Sequence, residues 1–204
     1  MPDDERYPEL VPGETFRDIR LDAPMGEVVE FRYLADWHGV ADSFFQAADS
    51  LATRLLVQDG DDPMPFQIIA PMLFSYRHWL ELQLKAVAAV EERYDAGQRP
   101  EWGHTLMELW PIARTYMERR FGGGERESEA YDTIEANIAF MDQLDPRGET
   151  FRYPGPDRER LAEVEVDVRV LRKVMRSIHL WLSGVLDARD AQRESEDAYA
   201  EAID

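Results

Sequence analysis

Residues 66–94 read FQIIAPMLFSYRHWLELQLKAVAAVEERY, and this stretch decides the fold. Ile69, Leu73, Tyr76, Leu80, Leu84, Val87 and Val90 recur at spacings of three and four, which sets them on one broad face of an α-helix. No other stretch of the chain is as apolar. This helix is therefore expected at the centre of a bundle, covered by its neighbours. Pro71 falls near its start and predicts a kink or a separate first turn, because proline lacks the N–H of the helical ladder.

Working outward, residues 36–58 carry Val40, Phe44, Ala48, Leu51 and Leu55 at helical spacing, widened by Phe45, Ala52 and Leu56. Gly60 and Pro63 then punctuate the end of that helix. Downstream, residues 104–121 place Leu106, Leu109, Trp110, Ala113 and Met117 on an inner stripe, with Pro111 inside the helix. Gly122, Gly123 and Gly124 break it, since consecutive glycines weaken a helix strongly. Residues 127–144 repeat the pattern with Tyr131, Ile134, Ile138 and Met141. A turn-rich connection, DPRGETFRYPGP, fills residues 145–156. Residues 158–189 predict a long last helix, with Leu161, Val164, Val168, Leu171, Met175, Ile178 and Leu182 facing inward. In residues 1–35, Ile19 and Leu21, then Val29, Phe31 and Tyr33, alternate with charged neighbours around a Pro24–Gly26 turn, the period of a β-hairpin. The expected architecture is all-α: an up-and-down bundle of four to five helices, with a short N-terminal β-hairpin or extended segment. Its divisions are an arm over residues 1–35, the bundle over 36–189 and a disordered acidic tail over 190–204.

The chain has 204 residues, the size of one domain, and 44% of them are hydrophobic, which suits a globular core. Its 23 basic and 42 acidic residues give a net charge of −19. That balance opposes a broad nucleic-acid-binding face, because phosphates are drawn to basic patches. It leaves room for a local Arg-lined cleft and favours a protein partner with a basic surface. With no cysteine there is no disulfide, thiolate metal site or thiol nucleophile. The acidic start MPDDERYPEL is unlike a signal peptide, and no apolar run approaches the ~20 residues that span a membrane. A cytoplasmic protein without membrane contact is expected.

Few residues carry an obvious chemistry. A dinuclear metal bundle uses Glu-x-x-His on two helices; here the order is His78-x-x-Glu81, with no second copy, so no metal and no cofactor is expected. Gly122–Gly124 lacks the Lys-Ser/Thr of a phosphate loop, and no G-x-S-x-G elbow occurs. Arg172 and His179 are more suggestive. They stand seven residues apart, two turns, on one face of the last helix. An imidazole can move protons near neutral pH and a guanidinium can stabilise a pentacoordinate phosphate, which together suit metal-independent RNA cleavage. A chain with 21 Arg among its 23 basic residues also produces such a spacing without purpose.

The segment Pro71-Met72-Leu73-Phe74-Ser75-Tyr76-Arg77-His78-Trp79-Leu80-Glu81-Leu82-Gln83-Leu84-Lys85 resembles the Arg-His-x-x-Glu-x-x-x-Lys helix of HEPN-like bacterial proteins. Gly103-His104-Thr105-Leu106, followed by Leu109-Trp110, is similar to their Gly-His-x-Leu…Leu-Trp helix start. Residues 142–145 followed by Phe151-Arg152-Tyr153-Pro154 resemble a segment of one uncharacterised branch. The resemblance spans residues 66–186. It implies a four- or five-helix bundle, often dimeric. Many members are RNases of toxin–antitoxin or antiphage systems, with an Arg-x(4–6)-His motif on a late helix. Arg172 and His179 would be the catalytic pair, meeting their counterparts across a homodimer interface. The residue after the motif Arg is commonly Asn, Asp or His, and here it is Lys173; members without the motif act as binding modules.

Arg77, His78, Glu81, Lys85, His104 and Arg152 allow two readings. They line a shared pocket for a phosphate or nucleotide, or they form buried structural pairs such as Glu81 with Arg77 or Lys85 at i±4. Three functions thus stand open: an endoribonuclease of a defence or toxin–antitoxin system, a non-catalytic module docking a basic partner, and a small-ligand binding bundle.

Overall fold

Among the described residues five helices form, in chain order, α1 (Trp37–Val57), α2 (Pro65–Glu91), α3 (Leu106–Phe121), α4 (Glu125–Leu144) and α5 (Val168–Glu201). The computed structural model describes residues 37–57, 65–91, 102–122, 124–153 and 165–201, and no strand occurs among them. The hairpin expected in residues 1–35, and the first turns of the last helix expected from residue 158, lie outside the described residues. All five helices belong to one compact unit, the all-α bundle that the periodicity predicts.

α2 is its axis. α1, α3 and α5 pack against α2, α1 also meets α5, and α4 lies on α3. Tyr76, Trp79, Leu80, Leu84 and Val87 are wholly buried along α2. Pro71 lies within the helix, which continues through it. The inner stripes of α3 and α4 bury at the predicted positions, from Leu106 to Met117 and from Tyr131 to Met141. α1 is turned slightly from expectation. Its seam is Ala41, Phe45, Ala48 and Ala52, while Val40, Phe44, Leu51 and Leu55 flank it half-buried. Small side chains on the seam let the α1 backbone come close to α2, and the larger residues close the edges of the contact.

Helix ends follow local chemistry. α3 has Thr105 at its N-cap without a side-chain bond; the Leu106 N–H instead donates to Asp142 Oδ1 at 2.8 Å, so α4 caps α3. Gly122, at φ +90°, terminates α3. α5 opens at Asp167, whose Oδ1 accepts from the Arg169 N–H at 2.8 Å and whose carbonyl accepts from Leu171. That cap, not residue 158, starts the described helix. At the other end α5 runs to Glu201, so the acidic tail expected to be disordered from residue 190 is helical to that point. Its Ala, Glu, Arg and Gln residues are good helix formers, which lets the helix outlast its packed stripe.

Ile138 is wholly buried on α4. Ile138→Ala is expected to lower unfolding free energy by about 2–5 kcal/mol in urea titration. Val57→Ala, at a position 77% exposed, is expected to change it by less than about 0.5 kcal/mol.

Candidate functional site

Arg77, Glu81 and Lys85 follow at i, i+4 spacing on α2, so their side chains leave one side of the helix on successive turns. That side is buried, with Arg77 at 1%, Glu81 at 3% and Lys85 at 7% exposure. Charges in such a place require partners, and the Glu81 carboxylate joins them. Its Oε2 accepts from Arg77 Nη1 at 2.5 Å, and its Oε1 accepts from Lys85 Nζ at 2.6 Å. Oε1 also lies 2.7 Å from His104 Nδ1. An ionised carboxylate only accepts, so His104 donates through Nδ1. The imidazole itself is 65% exposed, one buried edge of an otherwise open ring.

Arg77 extends the network to two loops. Its Nε donates to the Asp145 carbonyl at 3.0 Å and its Nη2 to the His104 carbonyl. Asp145 is wholly buried. Its Oδ1 accepts from the Glu149 and Thr150 N–H groups at 2.7 and 3.0 Å, which closes the turn after α4. Its Oδ2 stands 3.8 Å from Arg77 Nε with no hydrogen bond. Gly148 enters this turn at φ +72°, and a Cβ there would sit 3.3 Å from Arg77 Nη1. The backbone thus folds directly onto the guanidinium, at a conformation that glycine adopts without strain.

His78 and Arg152 belong to a neighbouring cluster. One residue further along α2 is about 100° further round the helix, and from there the His78 ring packs onto aromatic side chains. It stacks on Phe74 at 5.4 Å between centroids and meets the edge of Phe44 at 4.5 Å. The Arg152 guanidinium lies over Phe74 and Tyr153, at 5.6 and 5.4 Å, and its Nε donates to the Gly148 carbonyl. Of the six residues expected to line one pocket, the structure therefore gathers Arg77, Glu81, Lys85 and His104. It places His78 and Arg152 beside them, on the ring of Phe74.

Arg172 and His179 both turn toward α1. Arg172 holds the Asp49 carboxylate with two bonds, Nε to Oδ1 at 2.8 Å and Nη2 to Oδ2 at 2.9 Å. His179 stacks on Phe45 at 3.9 Å and 7°, with Trp79 edge-on at 5.6 Å. Its Nδ1 is 3.3 Å from Ser183 Oγ and its Nε2 is 3.7 Å from Asp42 Oδ1. His38, near the start of α1, has Nδ1 3.5 Å from the Gln83 amide nitrogen.

Titration follows from these surroundings. Burial alone would raise the Glu81 carboxyl; the bond and charge of Lys85, with His104 and Arg77, overcome it and hold the group below the usual glutamate range. Burial lowers the imidazoles of His78 and His179 below the ordinary histidine value, in each case against a neighbouring carboxylate. The Arg172 bond lowers Asp49. Among the described residues no group of three or more His, Asp or Glu gathers as a metal site, and no helix is long and apolar enough to cross a membrane.

Asp49, Phe45, Asp145 and Gly148 escaped the sequence reading as site residues. Arg172 and Asp49 lie 123 residues apart, and no periodicity links them. The Asp145-Pro146-Arg147-Gly148 turn signature was legible, but nothing in it shows that the turn closes over Arg77. Comparison with family models, with curated proteins and with solved structures finds no match to the chain.

Glu81→Gln removes the counterion of buried Lys85 and the nearer of the two carboxylates that face Arg77, and is expected to cost about 3–5 kcal/mol at neutral pH. The depressed carboxyl contributes stability that is full above the ordinary glutamate value and is lost as pH falls through its folded value. The gap between wild type and variant, measured by urea unfolding, is expected to narrow as the solution is acidified. A gap unchanged down to pH ~3 would show that the ionised carboxylate is not its source.

Proposed function

We propose that this chain is a HEPN-like binding and assembly module of a bacterial defence or toxin–antitoxin type system, which docks a basic protein partner in the cytoplasm and does not cut RNA. The engagement of Arg172 carries this reading. Metal-independent cleavage needs a guanidinium free to meet charge developing on phosphate, and an imidazole free to move protons. The Arg172 fork is closed on Asp49 in two charge-assisted bonds. The His179 ring is packed flat on Phe45, in surroundings that lower its basicity.

Charge supports the same reading. A net −19 repels RNA and steers a basic protein toward the surface. The Arg-His-x-x-Glu-x-x-x-Lys and Gly-His-x-Leu likenesses support the family placement, and the all-helical bundle agrees with it. The small-ligand reading is weaker, because Arg77 and Lys85 already hold Glu81 and face inward.

Incubation of the purified protein with total RNA, beside His179→Ala, tests the proposal. The expected result is intact RNA with both proteins. Cleavage by the wild type that His179→Ala abolishes would overturn the binding-module reading in favour of an endoribonuclease.

A further inference from the structure

Of the four histidines in the chain, His104 is the exposed one. The rings of His78 and His179 pack on Phe74 and Phe45, and His38 is half-buried beside the Gln83 amide. His104 stands two residues before α3 and is held at three points. Arg77 Nη2 donates to its carbonyl. Two residues on, the Leu106 N–H donates to Asp142 Oδ1 at 2.8 Å and pins the chain. The ring itself leans on α2, with Nδ1 2.7 Å from Glu81 Oε1. Its orientation is set before any reactant arrives.

The Glu81 bond also decides which nitrogen is available. Arg77 and Lys85, at 2.5 and 2.6 Å, keep the carboxylate charged. It only accepts, so the Nδ1 proton is committed to it and the neutral ring carries its lone pair on Nε2. Because the ring is 65% exposed with Nδ1 at its buried edge, Nε2 faces solvent. An imidazole with a carboxylate behind it and its far nitrogen open is built as a nucleophile or a metal ligand. A metal needs more ligands, and among the described residues no three His, Asp or Glu gather.

Exposure narrows the electrophile. An open ring can enter the active site of another protein, which brings its own pocket. Attack through Nε2 turns the ring into a cation, and the Glu81 carboxylate answers that charge through Nδ1–H. Transfer of a phosphoryl group between two imidazoles breaks and forms the same kind of bond, so it asks for orientation more than for driving force. Orientation is what Glu81 and Arg77 supply.

We propose that His104 is a phosphoacceptor, which takes a phosphoryl group on Nε2 from a phosphohistidine of a partner protein. The Nε2 lone pair attacks phosphorus. The P–N bond of the donor breaks, and its electron pair returns to the donor ring. The donor leaves as a neutral imidazole, and His104 becomes an N-phosphorylated imidazolium whose Nδ1 proton still bonds to Glu81. No proton is gained or lost. Glu81 is a positioning residue. The site goes beyond the binding-module reading and does not rest on it, since intact RNA is compatible with a phosphoacceptor and with its absence.

Phosphoramidate, a small donor with the same P–N bond, tests the proposal on the full chain at neutral pH, with N-acetylhistidine in the same tube as the standard. The expected result is one acid-labile phosphoryl group per chain, placed on His104 by peptide mass spectrometry and on Nε2 by phosphorus NMR. Its formation should be at least about tenfold faster than on the standard, the lower end of what a carboxylate behind an imidazole contributes. His104→Gln, at an exposed position, should lose the label with unchanged helical circular dichroism. Glu81→Gln should lose both the rate advantage and the preference for Nε2. Label on Nδ1 of His104, a rate no faster than the standard, or label retained by His104→Gln would each overturn the proposal. The wild-type rate and the choice of nitrogen do not depend on how Glu81→Gln folds.

Discussion

The Glu81 carboxylate is the point on which the polar interior depends. It receives Arg77, Lys85 and His104 together. Through Arg77 it reaches the carbonyls of Asp145 and His104, and so it ties α2 to the segment that leads into α3 and to the turn that follows α4. Taking these charges out of water is costly. The cost is offset because the bonds are short, and because the cations sit on the same helix at i−4 and i+4, where little chain entropy is lost in bringing them together. Two connections of the bundle thereby acquire a fixed position that apolar packing alone, being non-directional, would leave less defined.

Around this junction the apolar faces set the order of the helices. α2 is buried on nearly every side from Met72 to Ala88, which only a central helix can be. α5 divides its surface three ways. Met175, Ile178 and Leu182 enter the core, Arg172 and His179 meet α1, and Leu180 and Trp181 remain outside. Arg172 and His179 are thus engaged by Asp49 and Phe45, whereas Leu180 is exposed and Trp181, edge-on to Tyr131, is partly so.

Much of this fold was legible in the sequence, and the reason is periodicity. The stripes of α3 and α4 are regular, so Trp110 and Ile138 could be placed inside before any coordinates. The expected stripe of α1 is slightly rotated from the observed one, because hydrophobicity favours Val40 and Phe44 over Ala41, whereas close packing against α2 favours the smaller residue. The start of α5 depends on the Asp167 cap, a weaker signal than the apolar pattern that precedes it. The candidate site was legible only where it is local. Arg77, Glu81 and Lys85 share one helix and their pairing follows from spacing. His78, one residue along, packs on Phe74 and Phe44, contacts that its place in the sequence does not reveal. Arg172 with Asp49, and Arg77 with the turn at Gly148, join distant parts of the chain, and only tertiary structure brings them into register.

The dependence of both loops on Glu81 is most directly measured by native-state amide hydrogen exchange of wild type and Glu81→Gln at neutral pH. The account predicts that protection falls selectively at the Glu149, Thr150, Arg152 and Tyr153 amides, which bond back to Asp145 and Glu149, while the interior of α1 keeps its protection. Equal protection of those amides in the two proteins would contradict it, and would mean that the turn after α4 holds its shape without the carboxylate on α2.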